Sequence, residues 1–145
     1  MKVGWKSKLG WAPIKIKEIM SSDLGCVSPD MFLRDVGKMM REQIMGCVLV
    51  EDNGQLIGII TDRDMTCRAI ADGLDSATIT ARAIMSKPVS YSIDDALLVD
   101  AARIMQEKQI RRLPILDREK RLVCLLTADH LSSLPSLVSQ IKCNN

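Results

Sequence analysis

Residues 56–61 read Leu-Ile-Gly-Ile-Ile-Thr, and 66 residues later residues 122–127 read Leu-Val-Cys-Leu-Leu-Thr. The likeness continues toward the N terminus at an offset of 65, where Ile19-Met20-Ser21 returns as Ile84-Met85-Ser86. Apolar residues between these stretches are matched at the same offset: Phe32 with Leu97, Val36 with Ala101, Met39 with Ile104, and Met40 with Met105. A nearly constant offset with matched apolar positions indicates two copies of one folding unit.

The length of the chain suggests that neither copy is stable alone. A repeat of ~60 residues buries only about 60% of the surface that its unfolded chain exposes. We therefore expect the two halves of this 145-residue chain to pack against each other. Hydrophobic residues make up 47% of the chain and aromatic residues only 3%, so the core is predicted to be aliphatic.

The charge of the chain is unevenly distributed. Net charge is +2, but the first 20 residues carry five lysines and one glutamate, which leaves −2 for the remainder. A basic nucleic-acid-binding surface is therefore not expected on the body of the protein. The lysine-rich lead-in, with Trp5 and Trp11, either contacts an anionic membrane or nucleic acid or is simply a solvated end. The lead-in lacks the apolar run of a secretory signal, and no stretch approaches the ~18 apolar residues of a membrane span, so we expect a cytoplasmic protein.

Cysteine and histidine usage gives little support to metal or catalytic chemistry. The five cysteines lie 19 to 57 residues apart without a CxxC pair, so neither a disulfide framework nor a zinc site is expected. Cys47 and Cys124 fall in apolar runs, where cysteine is usually a small buried residue. The single histidine, His130, has no evident catalytic partner, and we expect no enzyme activity.

Each copy is predicted to fold in the order β-α-β-β-α. In the first copy, a helix ending near Glu42 is predicted to carry one apolar face, formed by Phe32, Val36, Met39 and Met40. Strands at 46–50 and 56–60 are joined through Asp52-Asn53-Gly54, a strong hairpin signal. Thr61 then begins a helix that runs to about residue 71. The corresponding predictions for the second copy are a helix at 94–108, strands at 113–116 and 122–126, and a helix from Thr127.

Residues 58–64, Gly-Ile-Ile-Thr-Asp-Arg-Asp, are the candidate for chemistry. Gly58 allows a ligand or another backbone to approach the strand closely. Thr61 and Asp64 flank the first turn of a helix, and a carboxylate there can accept hydrogen bonds from a vicinal diol such as a ribose. Arg63 lies between them within reach of a phosphate. The same Thr-x-x-Asp spacing also fits an ordinary capping box without any ligand.

With these features in two registered copies, the chain resembles a tandem pair of CBS domains, a Bateman module, from about residue 14 to residue 134. The matching features are the β-α-β-β-α order, the duplicated Ile-Met-Ser, the stretch 112–117 (Arg-Leu-Pro-Ile-Leu-Asp) and the Gly-x-x-Thr-x-x-Asp motif at 58–64. The extended stretch 61–73 is similar to that of small stand-alone bacterial CBS-pair proteins of the hypoxic response protein type. This resemblance implies an α/β (α+β) fold of two β-α-β-β-α repeats packed with pseudo-two-fold symmetry.

The resemblance also implies a ligand, an adenine nucleotide such as AMP, ADP, ATP or sometimes NAD or S-adenosylmethionine, bound in the cleft between the repeats. Carried over to this chain, the first site comprises Thr61 and Asp64 for the ribose, with Cys26, Val27, Gly46, Cys47 and Val48 near the base. The second site comprises Thr127, Val89, Ser90, Leu113, Pro114 and Ile115. The candidate phosphate contacts are Arg63, Arg111 and Arg112, although surface arginines are as often merely solvated.

The second copy departs from the motif at two positions. Cys124 replaces the strand glycine, and His130 stands where Asp64 stands in the first copy. A neutral imidazole accepts one hydrogen bond and cannot bridge both hydroxyls of a diol. An exposed helix histidine without a ligand role is the other interpretation. We expect one competent ribose site at Asp64 and a second site that is weak, altered or empty.

The predicted organisation is a lead-in at 1–13, repeats at 14–72 and 81–135, a connector at 73–80 and a tail at 136–145. The first functional hypothesis is a regulatory module that binds an adenine nucleotide and signals its occupancy to a partner. The second is a structural or protein-interaction unit that uses the fold without a ligand. The family resemblance implies a homodimer in either case, with any regulated protein bound in trans.

Overall fold

The computed structural model describes residues 14–18 and 24–132. It is a mixed α/β structure, as predicted, with two three-stranded sheets and two compact units. The first-repeat unit comprises described residues 24–90 and 119–122, and the second-repeat unit comprises 14–18, 91–118 and 123–132. The predicted lead-in and tail lie outside the described residues.

The elements of the first copy follow the predicted order. They are a 3-10 turn (Ile16–Glu18), β1 (Cys26–Val27), α1 (Leu33–Glu42), β2 (Cys47–Asp52), β3 (Gln55–Thr61) and α2 (Asp62–Asp64) with its π-helical continuation (Met65–Ile70). Those of the second copy are the short α3 (Ala81–Ile84), β4 (Ser92–Ile93), α4 (Leu98–Glu107), β5 (Arg112–Leu116), β6 (Leu122–Thr127) and α5 (Ala128–Ser132). Within the described ranges, no helix has the length and apolar character needed to cross a bilayer.

The predicted β-hairpin of the first copy is confirmed. Strand β2 pairs with β1 in parallel and with β3 in antiparallel orientation, which gives the sheet order β1-β2-β3. Asn53 and Gly54 connect β2 to β3 with positive φ angles of 51° and 79°. Both angles belong to the left-handed region that a two-residue type I′ turn requires, and Asn-Gly adopts them readily.

The apolar face of α1 differs in one residue from the prediction. Val36 and Met40 are buried, and Met39 packs against the same core. Phe32, however, is the N-cap residue with extended backbone and is 43% exposed, so it does not belong to this face. Leu33, fully buried, takes its place because the helix begins one residue later.

Two other helices depart from their predicted form. The predicted helix at 94–108 is observed as α4, four residues shorter at its start, because Leu97 forms an antiparallel bridge with Lys15 and stays extended. The helix after Thr61 reaches Ile70 as expected, but most of it is π-helical. The Ala71 N–H, for example, donates to the Thr66 carbonyl at 3.0 Å, five residues back.

The core of each unit includes residues from the start of the other sequence copy. Ile16 is fully buried in the second-repeat unit, and its N–H donates to the Ala96 carbonyl at 3.0 Å. Ala81 is fully buried in the first-repeat unit, and its N–H donates to the Met31 carbonyl at 2.9 Å. Each compact unit is therefore completed by residues from both sequence copies.

The predicted repeat boundaries, 14–72 and 81–135, describe duplicated stretches of sequence and stay a prediction. The compact units follow packing instead. They place the described residues 14–18 with the second copy and residues 81–90 with the first.

Candidate functional site

The turn from β3 into α2 is closed by two reciprocal hydrogen bonds. The Asp64 N–H donates to Thr61 Oγ1 at 3.1 Å, and the Thr61 N–H donates to Asp64 Oδ2 at 2.9 Å. This is the capping box that the Thr-x-x-Asp spacing allows. Thr61 and Asp64 are thus brought together as predicted, and each already has a structural role within the protein.

The capping box leaves much of the Asp64 carboxylate available. An ionised carboxylate offers about four lone-pair positions, and the bond from Thr61 occupies one of them, on Oδ2. The side chain of Asp64 is 15% exposed, so it is partly buried but still accessible to solvent or to a ligand. A half-buried, fixed carboxylate with free acceptor positions can still bind a diol.

Arg68 contacts Asp64 from one helical turn later, although the sequence analysis did not assign it to the site. Its Nε lies 3.8 Å from Asp64 Oδ1, and its Nη1 donates to the Ile84 carbonyl at 3.1 Å. The sequence signal was the four-residue spacing between an acid and an arginine on one helix. Arg63 is exposed, and its backbone N–H donates to the Asp62 carboxylate at 2.9 Å.

The space beside the Gly58 backbone is filled by the side chain of Met85. A Cβ at this position would lie 2.5 Å from Sδ, 2.8 Å from Cγ and 2.9 Å from Cβ of Met85. Beside it, Ile59 and Ser86 exchange two backbone hydrogen bonds of 3.2 and 2.9 Å. Of the two predicted reasons for a glycine here, close approach of another part of the chain is the one that the structure displays.

The residues expected near the base lie on the adjoining strands. The Gly46 carbonyl accepts from the Asp62 N–H at 3.0 Å, which ties Gly46 directly to the turn. Cys47 and Val48 are buried in β2, and Val27 is buried in β1. Val27 and Val48 pack in the core of this unit, so their contact with a ligand would come through their backbone, whereas Cys47 points to the opposite face of the sheet from Val48.

Cys26 is the half-buried member of this group. It pairs with Leu49 across the parallel strands β1 and β2. Burial raises the pKa of its thiol to about 11, and the nearby Glu51 carboxylate adds to the shift. Cys26 is therefore a neutral thiol at physiological pH.

The second copy repeats the turn with a histidine in place of the acid. The Thr127 N–H donates to His130 Nδ1 at 3.3 Å, and the His130 N–H donates to Thr127 Oγ1 at 3.4 Å. Both bonds are longer than their counterparts at Asp64. His130 thus occupies the position that the 66-residue offset gave it, and its Nδ1 is the acceptor of the first bond.

Two of the remaining second-site residues, Val89 and Ser90, lie before the strand rather than in it. Val27 pairs with Val50, and its counterpart pair is Ser92 with Ile115. Ser92, not Val89 or Ser90, therefore occupies the position of Val27, and both of those residues precede β4. Leu113, Pro114 and Ile115 are fully buried in β5.

Arg111 and Arg112 stand where Gly46 and Cys47 stand in the first copy. The Arg111 carbonyl accepts from the Ala128 N–H at 2.8 Å, as that of Gly46 does from Asp62. The exposed Arg111 guanidinium lies 3.7 Å from Asp129 Oδ1. The role of both arginines in phosphate binding stays a prediction.

Comparison with known proteins places this geometry in a family. The CBS domain model matches residues 16–68 and 81–136. Hypoxic response protein 1 of Mycobacterium tuberculosis is 33% identical over 121 residues, which cover 82% of this chain and 84% of that protein. The CBS domain-containing protein YhcV of Bacillus subtilis is 33% identical over 103 residues, 71% of this chain and 73% of that protein.

Solved structures give the same result. The crystal structure of hypoxic response protein I with two coordinated zinc ions is 29% identical, with a TM-score of 0.75 over 83% of this chain and 98% of that one. The structure of CBSX2 in complex with AMP is 26% identical, with a TM-score of 0.72 over 88% of this chain and 98% of that one. Among the described residues, no group of three or more His, Cys, Asp and Glu side chains is placed to hold a metal ion. The chain belongs to the CBS domain family and carries two CBS domains in tandem.

Proposed function

We propose that this CBS pair is a regulatory module that binds an adenine nucleotide, with the ribose held by Thr61 and Asp64 of the first copy. The observation that carries the proposal is the Asp64 carboxylate, which is fixed by the Thr61 N–H at 2.9 Å and keeps unused acceptor positions. The chain also resembles CBSX2, which was solved in complex with AMP.

The capping box supports ligand binding by orienting the acid in advance. Both the backbone N–H and the hydroxyl of Thr61 are engaged by Asp64, so the carboxylate does not have to be ordered when a ligand arrives. A site that is already organised avoids part of the entropy that binding otherwise requires. Ribose hydroxyls donate to the remaining lone pairs, which makes the diol the part of the ligand that this turn recognises.

The proposed ligands are AMP, ADP, ATP or NAD, which share adenosine. A ligand that binds one conformation of the chain better than another shifts the population toward it, and a second copy or a regulated protein in trans then detects the change. In this proposal, the protein responds to nucleotide concentration and performs no chemistry. The homodimer and the cytoplasmic location stay predictions.

Isothermal titration calorimetry with AMP, ADP, ATP and NAD tests the proposal. We expect the wild type to bind at least one of them with a dissociation constant below 1 mM, on the order of −4 kcal/mol or stronger. Asp64→Asn keeps an oxygen for the cap but removes the charge, and it should weaken binding about ten- to a hundredfold, the equivalent of roughly 1.5–3 kcal/mol. Asp100→Asn is the control, because Asp100 forms a surface ion pair with Arg103 on α4.

One observation favours the second hypothesis, a ligand-independent interaction module. The turn at Thr61 is completed by the protein's own groups and needs no ligand to satisfy it. If the wild type binds none of the four nucleotides at millimolar concentration, the nucleotide proposal is wrong and this alternative replaces it.

A further inference from the structure

We propose that Arg68 is a positioning residue for the ribose site: it holds the second oxygen of Asp64 and makes the first copy selective for a ribose over a deoxyribose. The inference rests on the proposed function. It assigns to Arg68 a role in ligand selectivity through Asp64, without contact with the ligand.

The two oxygens of Asp64 have different neighbours. Oδ2 accepts the Thr61 N–H at 2.9 Å, whereas Oδ1 lies 3.8 Å from Arg68 Nε. A diol needs both hydroxyls directed at the carboxylate, so the plane of the carboxylate has to be fixed. The hydrogen bond from Thr61 fixes Oδ2 and limits rotation about the Cβ–Cγ bond, and a cation beside Oδ1 limits it further. Arg68 supplies that second restraint.

Arg68 is itself held in place. Its Nη1 donates to the Ile84 carbonyl at 3.1 Å, in a part-buried bond that spans 16 residues of sequence. The backbone beyond Ile84 is fixed in turn, since the Ser86 N–H donates to the Ile59 carbonyl at 2.9 Å on β3. The position of the guanidinium next to Asp64 is therefore restrained by its bond to the Ile84 carbonyl, in a segment that is itself bonded to β3.

The second copy provides an internal comparison. Thr61 is followed by Asp64 and Arg68 at three and seven residues, and Thr127 is followed by His130 and Leu134 at the same distances. Leu134 lies outside the described residues, but its identity is sufficient: the copy that lacks the acid also lacks the arginine. Both the acid and the arginine are replaced in the second copy, as expected for two residues that act together at one site.

The experiment compares adenosine with 2′-deoxyadenosine by calorimetry. In the wild type, loss of one hydroxyl removes one hydrogen bond to Asp64, and we expect adenosine to bind about 5- to 20-fold more tightly. Arg68→Leu, which installs the residue of the second copy, should weaken adenosine about 3- to 10-fold and leave 2′-deoxyadenosine nearly unchanged, so that the selectivity ratio falls toward one. Arg68→Lys keeps the charge but cannot engage Asp64 and Ile84 through two separate nitrogens, and it should restore part of the ratio.

The control is Arg103→Leu, which removes a matched exposed arginine that pairs with Asp100 three residues earlier. It should leave both affinities and their ratio unchanged. Circular dichroism of each variant establishes that it is folded.

Three results overturn the inference. A selectivity ratio that Arg68→Leu leaves intact, with both affinities lowered equally, shows a general structural role. A loss for AMP that clearly exceeds the loss for adenosine shows direct contact with phosphate. Failure of the wild type to bind any of AMP, ADP, ATP and NAD overturns the proposed function, and this inference with it, whereas nucleotide binding with an unchanged Arg68→Leu ratio overturns the inference alone.

Discussion

Gly58→Ala tests whether close packing of Met85 on β3 explains the glycine of the motif. Elsewhere in a strand, replacing glycine by alanine stabilises a protein by roughly 0.5–1 kcal/mol, because glycine loses more backbone entropy on folding. At Gly58, the new methyl group would lie 2.5–2.9 Å from three atoms of Met85. Overpacking of this kind costs typically 1–3 kcal/mol. The clash therefore outweighs the entropy, and we expect a net destabilisation of about 1–2 kcal/mol.

The assay is urea unfolding of the folded chain, followed by circular dichroism, with the change in midpoint converted to free energy at constant slope. Gly37→Ala is the matched control. A Cβ at Gly37 would meet its nearest neighbour, the Met65 methyl carbon, at an ordinary 3.6 Å, and Gly37 lies within α1. In a helix this change should stabilise by about 0.5–1 kcal/mol, so the two glycines are expected to respond with opposite signs.

A second variant separates the clash from other effects at Gly58. Met85→Ala removes Sδ and Cγ but keeps Cβ, and alone it should cost about 2–4 kcal/mol because Met85 is 8% exposed in the core. In that background, the penalty of Gly58→Ala should fall by at least half. If Gly58→Ala proves as stable as the wild type, or loses the same free energy with and without the Met85 side chain, the packing argument is wrong.

Two further predictions follow from ion pairs and caps. Hydrogen bonds from Lys17 Nζ and Arg118 Nε, at 2.6 and 2.9 Å, lower the pKa of Asp95 to about 2. Because the pKa of Asp95 is lower in the folded state, its carboxylate stabilises the fold above the unfolded pKa of about 3.9, and this stabilisation is lost as pH falls toward 2. In urea unfolding, Asp95→Asn should therefore be less stable than the wild type at pH 6, and the difference should vanish near pH 2. A difference that does not depend on pH would contradict this. His130→Asp should shorten the cap bonds of 3.3 and 3.4 Å and stabilise the chain by about 0.5–1 kcal/mol in urea unfolding. In calorimetry it should add a second bound nucleotide per chain. A lower urea midpoint and an unchanged number of bound nucleotides would count against this prediction.

The sequence was informative where local chemistry determines structure. Asn53-Gly54 predicted the hairpin because few dipeptides accept two positive φ angles. The predicted burial of Cys47 and Cys124 is also confirmed. It was predictable because both residues lie in apolar stretches that form strands. The turn at Thr61 was correctly predicted as a place where hydroxyl and carboxylate meet, and the capping alternative was recognised.

Contacts between distant parts of the chain were not predictable in the same way. The neighbour of Gly58 is Met85, 27 residues away, and nothing in the local pattern identifies it. The assignment of Val89 and Ser90 was a different kind of error, because the 65-residue offset from Val27 already leads to Ser92, the residue that pairs with Ile115 in β4. Arg68 was visible as part of a motif, but its bond to the Ile84 carbonyl required the structure.

Synthesis of the chain on the ribosome gives the burial of Ile16 a temporal consequence. Ile16 is synthesised before the rest of its core, which lies in residues 91–118 and 123–132. At about 5–20 residues per second, the 75 residues between positions 16 and 91 take roughly 4–15 s to translate. By the end of that interval every residue of the buried core cluster of the first-repeat unit, from Val27 to Met85, has been made, whereas Ile16 still lacks the residues against which it packs.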